Sequence, residues 1–179
     1  AIVRDGAPQI LANGEERIIP SVVGYSSAGQ WLVGAPARNQ YVFDPDNTVR
    51  SIKREMGSDK QVQLGGRPFT PQEISSMILQ KMKYRAEEFL GEEVTDVVIT
   101  VPAHFNEVQR KATKAACTIA GLNVKRVLNE PTAAVLAFTD AIERRKIAVF
   151  DFGGGTFDIS VLQVVNGIFE VKATTGNTQ

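Results

Sequence analysis

Short apolar runs interrupted by glycine-containing pairs open the chain. In AIVRDGAPQILANGEERIIPSVVGY the breaks fall at Asp5-Gly6 and Asn13-Gly14. Both pairs accept the positive φ angles of a tight hairpin turn, so two or three antiparallel strands are expected. QVQLGGRPF repeats the device with Gly65-Gly66 at the turn. The period then lengthens from two residues to that of a helix. Thr70, Pro71 and Glu73 supply a capping box with proline at the first helical position, and Gly91 stands where a left-handed C-terminal cap belongs. Between them Ile74, Ile78 and Met82 recur at four-residue spacing, with Met77 and Phe89 widening the stripe. The pattern predicts a long helix with these residues in the core.

Further on, TDVVITVPAHF reads as a buried strand of mostly β-branched residues that Pro102 stops. Asn106 with Gln109 is a second capping signal. The helix it opens carries Ala112, Ala115, Ala116 and Ile119 on one side, small enough to lie close to a sheet, and ends at Gly121. NVKRVL is the next strand, Glu130-Pro131-Thr132 starts a third helix, and KIAVFDF is a strand running straight into glycines. Strand, helix, strand, helix, strand is an α/β layout. ISVLQVVNGIFEVKAT, with Asn166-Gly167 at its centre, predicts a closing hairpin, and TTGNTQ reads as an unfinished loop.

Charge narrows the partners. Lysine plus arginine equals aspartate plus glutamate, 20 against 20, so nothing at the level of the whole chain draws it to nucleic acid or an acidic membrane surface. Cys117, alone in AACTIAG, reads as a small buried apolar residue and fits a reducing compartment. The sole histidine, His104, has no cysteine or second histidine to share a metal and reads as a surface or packing residue. There is no apolar stretch of about 18 residues, no basic and apolar leader and no initiator methionine. A soluble chain cut out of something longer is expected.

The chemistry concentrates in DFGGGTFDIS, Asp151 to Ser160. Consecutive glycines let successive N–H groups turn inward and cradle an anion, for which phosphate is the usual guest. Carboxylates beside phosphate repel it unless a divalent cation intervenes, and magnesium held through waters by Asp151 or Asp158 removes that conflict. Thr156 adds a hydroxyl donor. By itself DxGGGTxD is also what a plain turn between two strands looks like, with solvated aspartates at its ends. The Walker pattern GxxxxGK[ST] is absent, and GxGxxG fails because Asp158 stands where its last glycine belongs. The glycines join two strands, so no helix N-terminus assists and a different phosphate-binding architecture is required.

NTVRSIKREMG, FTPQEISSMILQKMK, VITVPAHFNEVQRKATKAACTIAGLNV, VLNEPTAAVLAF and VFDFGGGTFDISVL, in this order and at family spacing, resemble the ATPase domain of the DnaK-type heat-shock chaperones, the seventy-kilodalton family. The resemblance runs nearly end to end. It implies an actin-like (ribonuclease H-like) α/β ATPase with nucleotide in a cleft between two lobes. Here lobe I would be nearly complete without its first strand, followed by the first strands of lobe II. In that scheme residues 1–20 and 94–142 form the core subdomain of lobe I, 21–93 its peripheral subdomain, and 143–179 the start of lobe II. Lys53 matches the catalytic lysine and Glu130 the acid that positions attacking water. Asp151, Gly153, Gly154, Gly155, Thr156 and Asp158 match the second phosphate loop, with the aspartates serving magnesium. Pro102 and Arg110 match a relay to the peptide-binding domain, and Arg126 and Asn129 match positions that receive a J-domain co-chaperone. ATP or ADP with Mg²⁺ are the implied cofactors, with K⁺ a further candidate ion. A nucleotide exchange factor and unfolded polypeptide complete the implied partners, in bacterial cytoplasm, mitochondrial matrix or plastid stroma.

Taken singly, each of these residues also has an ordinary reading. Lys53 is then a solvated charge, Glu130 a helix-starting acid, Pro102 a strand end, and Arg110 the partner of Glu107 one turn earlier. The chain also departs from the family pattern. PAHF stands for PAYF, AACTIAG for the usual DAG-type stretch, and LAFTD for the common AYG, as in a divergent paralogue. The DLGTT-like first phosphate loop is expected before Ala1 and the LGG segment after the final hairpin, so these residues alone should turn over little ATP. Their unpaired strand edges invite association. Two other readings stand beside the chaperone ATPase: an inactive chaperone-like docking module, and a metabolite kinase on the same fold.

Overall fold

Glycine pairs place the small hairpins where the turn chemistry predicts. The computed structural model describes residues 1–12, 17–137, 146–153 and 157–177. Strands β1 (Ile2–Arg4) and β2 (Ala7–Gln9) pair antiparallel through a turn whose Asp5 and Gly6 both take positive φ, 53° and 77°. The second expected turn, Asn13-Gly14, lies outside the described residues. Strands β3 (Val22–Tyr25), β4 (Trp31–Val33) and β5 (Thr48–Arg50) form a sheet of order β4-β3-β5, with helix α1 (Ala35–Gln40) between β4 and β5 in sequence. The Gln40 side-chain amide binds this unit together by donating to the carbonyls of Tyr25 and Asn47 and to the Thr48 hydroxyl, each at 3.1 Å. A 3₁₀ turn, Ile52–Glu55, follows β5. Then β6 (Val62–Leu64) and β7 (Arg67–Phe69) pair across Gly65-Gly66, again both at positive φ.

Helix α2 (Pro71–Leu90) begins at the predicted capping box and ends at Gly91 in the left-handed region. Its Ile74 and Ile78 join Val23, Ile52 and Leu64 in one core cluster. Met82 and Phe89 do not: they are 51% and 41% exposed, because the β3–β7 layer covers only the first half of this 20-residue helix. The second half is tied instead by Lys83, which pairs with Glu87 and donates to the Val94 carbonyl, while Val94 N–H donates to Glu87.

The cap makes a testable claim. Glu73 is held below its ordinary value of 4.5, first by the Thr70 backbone N–H and then by the Thr70 hydroxyl. A carboxyl lowered in the folded state adds stability above the unfolded value and loses it as pH falls through the folded one. At neutral pH Glu73→Ala should lower the unfolding free energy by about 0.5–1 kcal/mol, the scale of a surface helix cap. In urea titrations the gap to the unsubstituted chain should close as pH drops below 4.5.

Strand β8 (Asp96–Val101) pairs in parallel with β9 (Asn123–Asn129), connected by helix α3 (Glu107–Ile119) with its predicted Asn106/Gln109 capping box. β8 is not buried on both faces. Its only ladder neighbour among the described residues is β9, and its residues alternate, with Val97, Ile99 and Val101 toward the core and Val98 exposed. The buried face of α3 is also rotated from expectation. Ala112, Ala116, Cys117 and Ala120 are buried, whereas Ala115 is exposed and Ile119 is 49% exposed. An i, i+4, i+8 ridge of alanines gives the closest approach to the sheet, and the bulkier Ile119 stays off it. Burial pushes the Cys117 thiol up, as a small buried apolar residue requires.

Helix α4 (Glu130–Leu136) follows β9 directly. Strands β10 (Lys146–Phe152), β11 (Phe157–Val165) and β12 (Ile168–Asn177) form an antiparallel sheet in sequence order, with the predicted Asn166-Gly167 turn at positive φ. Val135 of α4 seats on its inner face with Leu162 and Val164. The stretch read as a loop from Thr174 is strand as far as Asn177, because β11 is long enough to offer it ladder partners down to Phe157. No helix among the described residues is long and apolar enough to cross a membrane. Among the described residues the result is a mixed α/β arrangement of small sheets.

Candidate functional site

Phe152 and Phe157 pair at the end of the antiparallel β10–β11 ladder that flanks the glycines. Gly154, Gly155 and Thr156 lie outside the described residues; Gly153 lines the large cleft. The same ladder sets Asp151 directly opposite Asp158. The neighbouring inward pairs, Ile147 with Leu162 and Val149 with Ser160, put both carboxylates on the inner face of the sheet. Like charges directly opposite one another destabilise a sheet unless something positive stands between or beside them.

Their environments differ. Asp151 lines the cleft, whereas Asp158 is only 3% exposed. His104 Nδ1 lies 2.7 Å from Asp158 Oδ1, and since an ionised carboxylate only accepts, that nitrogen is the donor. His104 is therefore neither a surface residue nor plain packing: it bridges the turn after β8 to β11. No sequence spacing marks the pair, which is 54 residues apart. Asp158 Oδ2 and His104 Nε2 are buried without a hydrogen-bond partner among the described residues.

Across the cleft, the 3₁₀ turn after β5 presents Lys53, whose Nζ lies 2.7 Å from Glu130 Oε1 at the start of α4. Pro131 behind it fixes the first turn of α4, so the acid both begins the helix and faces the lysine. Lys53, Glu130, Asp151 and Gly153, drawn from three separate segments, line one open cleft of about 1270 Å³. That exceeds the roughly 300–1,000 Å³ of ordinary small-molecule sites, leaving room for a nucleotide. Chemically the set offers a compact ammonium for a phosphoryl oxygen, a carboxylate to orient water, and the backbone of Gly153.

Among the described residues no three His, Cys, Asp or Glu side chains gather to cage a metal. Magnesium asks for less: it keeps several waters and takes one or two carboxylates plus substrate phosphate. Asp151 in the cleft and the unpartnered buried Oδ2 of Asp158 opposite it fit that demand.

Arg110 does not pair with Glu107. Its Nε donates to the Phe105 carbonyl at 2.9 Å, and its Nη2 donates to Ala103 O at 3.4 Å and Asn129 Oδ1 at 2.8 Å. It thereby binds the turn following the fully buried Pro102 to the end of β9. Arg126 and Asn129 stand three residues apart on one strand and so point to opposite faces: Arg126 is exposed, and Asn129 sits with Arg110.

A family model described as Hsp70 protein matches residues 1–65 and 59–179, which together span the whole chain.

Proposed function

The chain belongs to the Hsp70 family, and from that premise we propose that it carries the nucleotide-binding part of an ATP-dependent molecular chaperone. Members of the family are generally ATPases that bind nucleotide with magnesium and work with co-chaperones and unfolded polypeptides. For this chain the reading is hydrolysis of the acid anhydride of ATP, coupled to capture and release of unfolded polypeptide. The fold is read as actin-like, with residues 1–20 and 94–142 as the core of the first lobe, 21–93 as its periphery and 143–179 as the start of the second. The observation that carries the proposal is the meeting of Lys53, Glu130, Asp151 and Gly153 at one cleft.

Phosphoryl transfer needs in-line positioning and charge neutralisation more than covalent help. Lys53 supplies positive charge to the transferred phosphoryl group, and its partner Glu130, released from the ion pair by phosphate, orients the attacking water. The glycine run 153–155, with Thr156, is read as the donor set for the phosphate tail. Asp151 and Asp158 are the residues that would hold magnesium through water, and the ion would supply neutralisation of phosphate charge. Pro102 and Arg110 carry the nucleotide state toward the peptide-binding domain, Arg126 receives a J-domain from the exposed face of β9 while Asn129 serves that contact from the opposite face through Arg110, and an exchange factor resets the cycle. K⁺ is a further candidate at the phosphates. The single buried Cys117 accords with a reducing compartment such as cytoplasm, mitochondrial matrix or plastid stroma.

Calorimetric titration of the full-length protein with ADP, with magnesium and with a chelator, tests this. Magnesium-dependent binding is expected, and Asp151→Asn should remove about tenfold of the metal's contribution, or about 1.4 kcal/mol. Absence of ADP binding under both conditions would overturn the reading in favour of a docking module.

A further inference from the structure

Buried polar side-chain atoms without a partner are rare and costly, at about 1–3 kcal/mol each. Among the described residues three stand out, and two of them belong to a single pair: His104 Nε2 and Asp158 Oδ2. The pair is rigidly built. The His104 ring stands edge-on to Phe105, with centroids 5.7 Å apart and planes at 81°, and Phe105 is buried with Met56 and Val101. On the β12 side, Gly176 is Asp158's ladder partner, and any side chain at position 176 would overlap the Asp158 carboxylate. The carboxylate is thus enclosed by its own strand, by bare backbone at Gly176 and by an imidazole whose ring is fixed by packing.

One oxygen is committed and the other has no partner among the described residues. Asp151 opposite would push an untethered Asp158 carboxylate toward other rotamers, and the His104 hydrogen bond opposes that. Resting on the nucleotide-binding reading above, we propose that His104 is a positioning residue for magnesium. Its Nδ1–H fixes Oδ1 of Asp158, so that Oδ2 alone is offered to the water shell of the cation shared with Asp151. A hydrogen-bonding partner behind a metal-site carboxylate is commonly worth about 10–100-fold in metal affinity.

The test compares ADP affinity with magnesium and with a chelator in the full-length protein. His104→Phe and His104→Leu remove the donor at two different sizes, while His104→Asn places an amide N–H where Nδ1 stood. The two donorless variants should lose about tenfold of the magnesium-dependent gain and keep the metal-free affinity within about twofold. His104→Asn should return to within about threefold of the unsubstituted protein. If both donorless variants unfold, His104→Gln, whose amide reaches toward the Nε2 position instead, takes their place. Full magnesium gain in the donorless variants, an equal loss in His104→Asn, or a parallel loss of metal-free affinity would each overturn the assignment. No magnesium-dependent gain in the unsubstituted protein would instead remove the functional reading, and this inference with it.

Discussion

Lys53→Ala in the full-length protein is expected to lower the rate of ATP hydrolysis by at least about 10²-fold, the usual cost of deleting one preorganised group that stabilises transition-state charge. Binding of ADP with magnesium should stay within about threefold, because ADP lacks the transferred group that Lys53 serves. Stability should barely change. The Lys53 side chain is 46% exposed, so its ion pair with Glu130 is screened, and Glu130 left alone can take water from the cleft. Single-turnover hydrolysis, read beside calorimetric ADP binding, separates the two effects. A variant that keeps its turnover would make Lys53 an ordinary surface charge.

Arg110→Ala should act on a different quantity, lowering the unfolding free energy by about 2–3 kcal/mol. Three acceptors lose their donor at once: the carbonyls of Ala103 and Phe105 and the side chain of Asn129. Arg110→Lys should recover less than half, since one ammonium cannot reproduce a planar fork that reaches three acceptors in different directions. The turn it secures also carries His104, so the magnesium-dependent gain in ADP affinity should fall in Arg110→Ala as well. Urea unfolding measures the first effect and calorimetry the second. Full stability in Arg110→Lys would mean that charge alone, not the forked geometry, holds the turn.

What was legible beforehand was mostly local chemistry. The capping boxes at Thr70/Glu73 and Asn106/Gln109 are written in residues three apart, and the Asp5-Gly6, Gly65-Gly66 and Asn166-Gly167 turns in adjacent ones, so neighbouring positions suffice to find them. The phase of burial was harder. On α3 the apolar count favours a face containing Ile119, but close approach to β8 and β9 selects the alanine ridge with Cys117, a decision made by tertiary packing. Met82 and Phe89 depart from the pattern for a related reason: periodicity shows which side of α2 is apolar, not where its cover ends. The site residues meet over long separations, 77 residues for Lys53 with Glu130 and 54 for His104 with Asp158. Family resemblance singled out the first pair. Nothing in the local pattern singled out His104, whose role depends on a strand that pairs far downstream.

The most direct test is an experimental structure of the full-length protein with ADP and magnesium. The diphosphate should lie within hydrogen-bonding distance of backbone N–H groups at positions 153–156, with Lys53 facing it across the cleft and Asp151 reaching the metal through water. A nucleotide bound elsewhere, or a glycine turn directed away from its phosphates, would contradict the account.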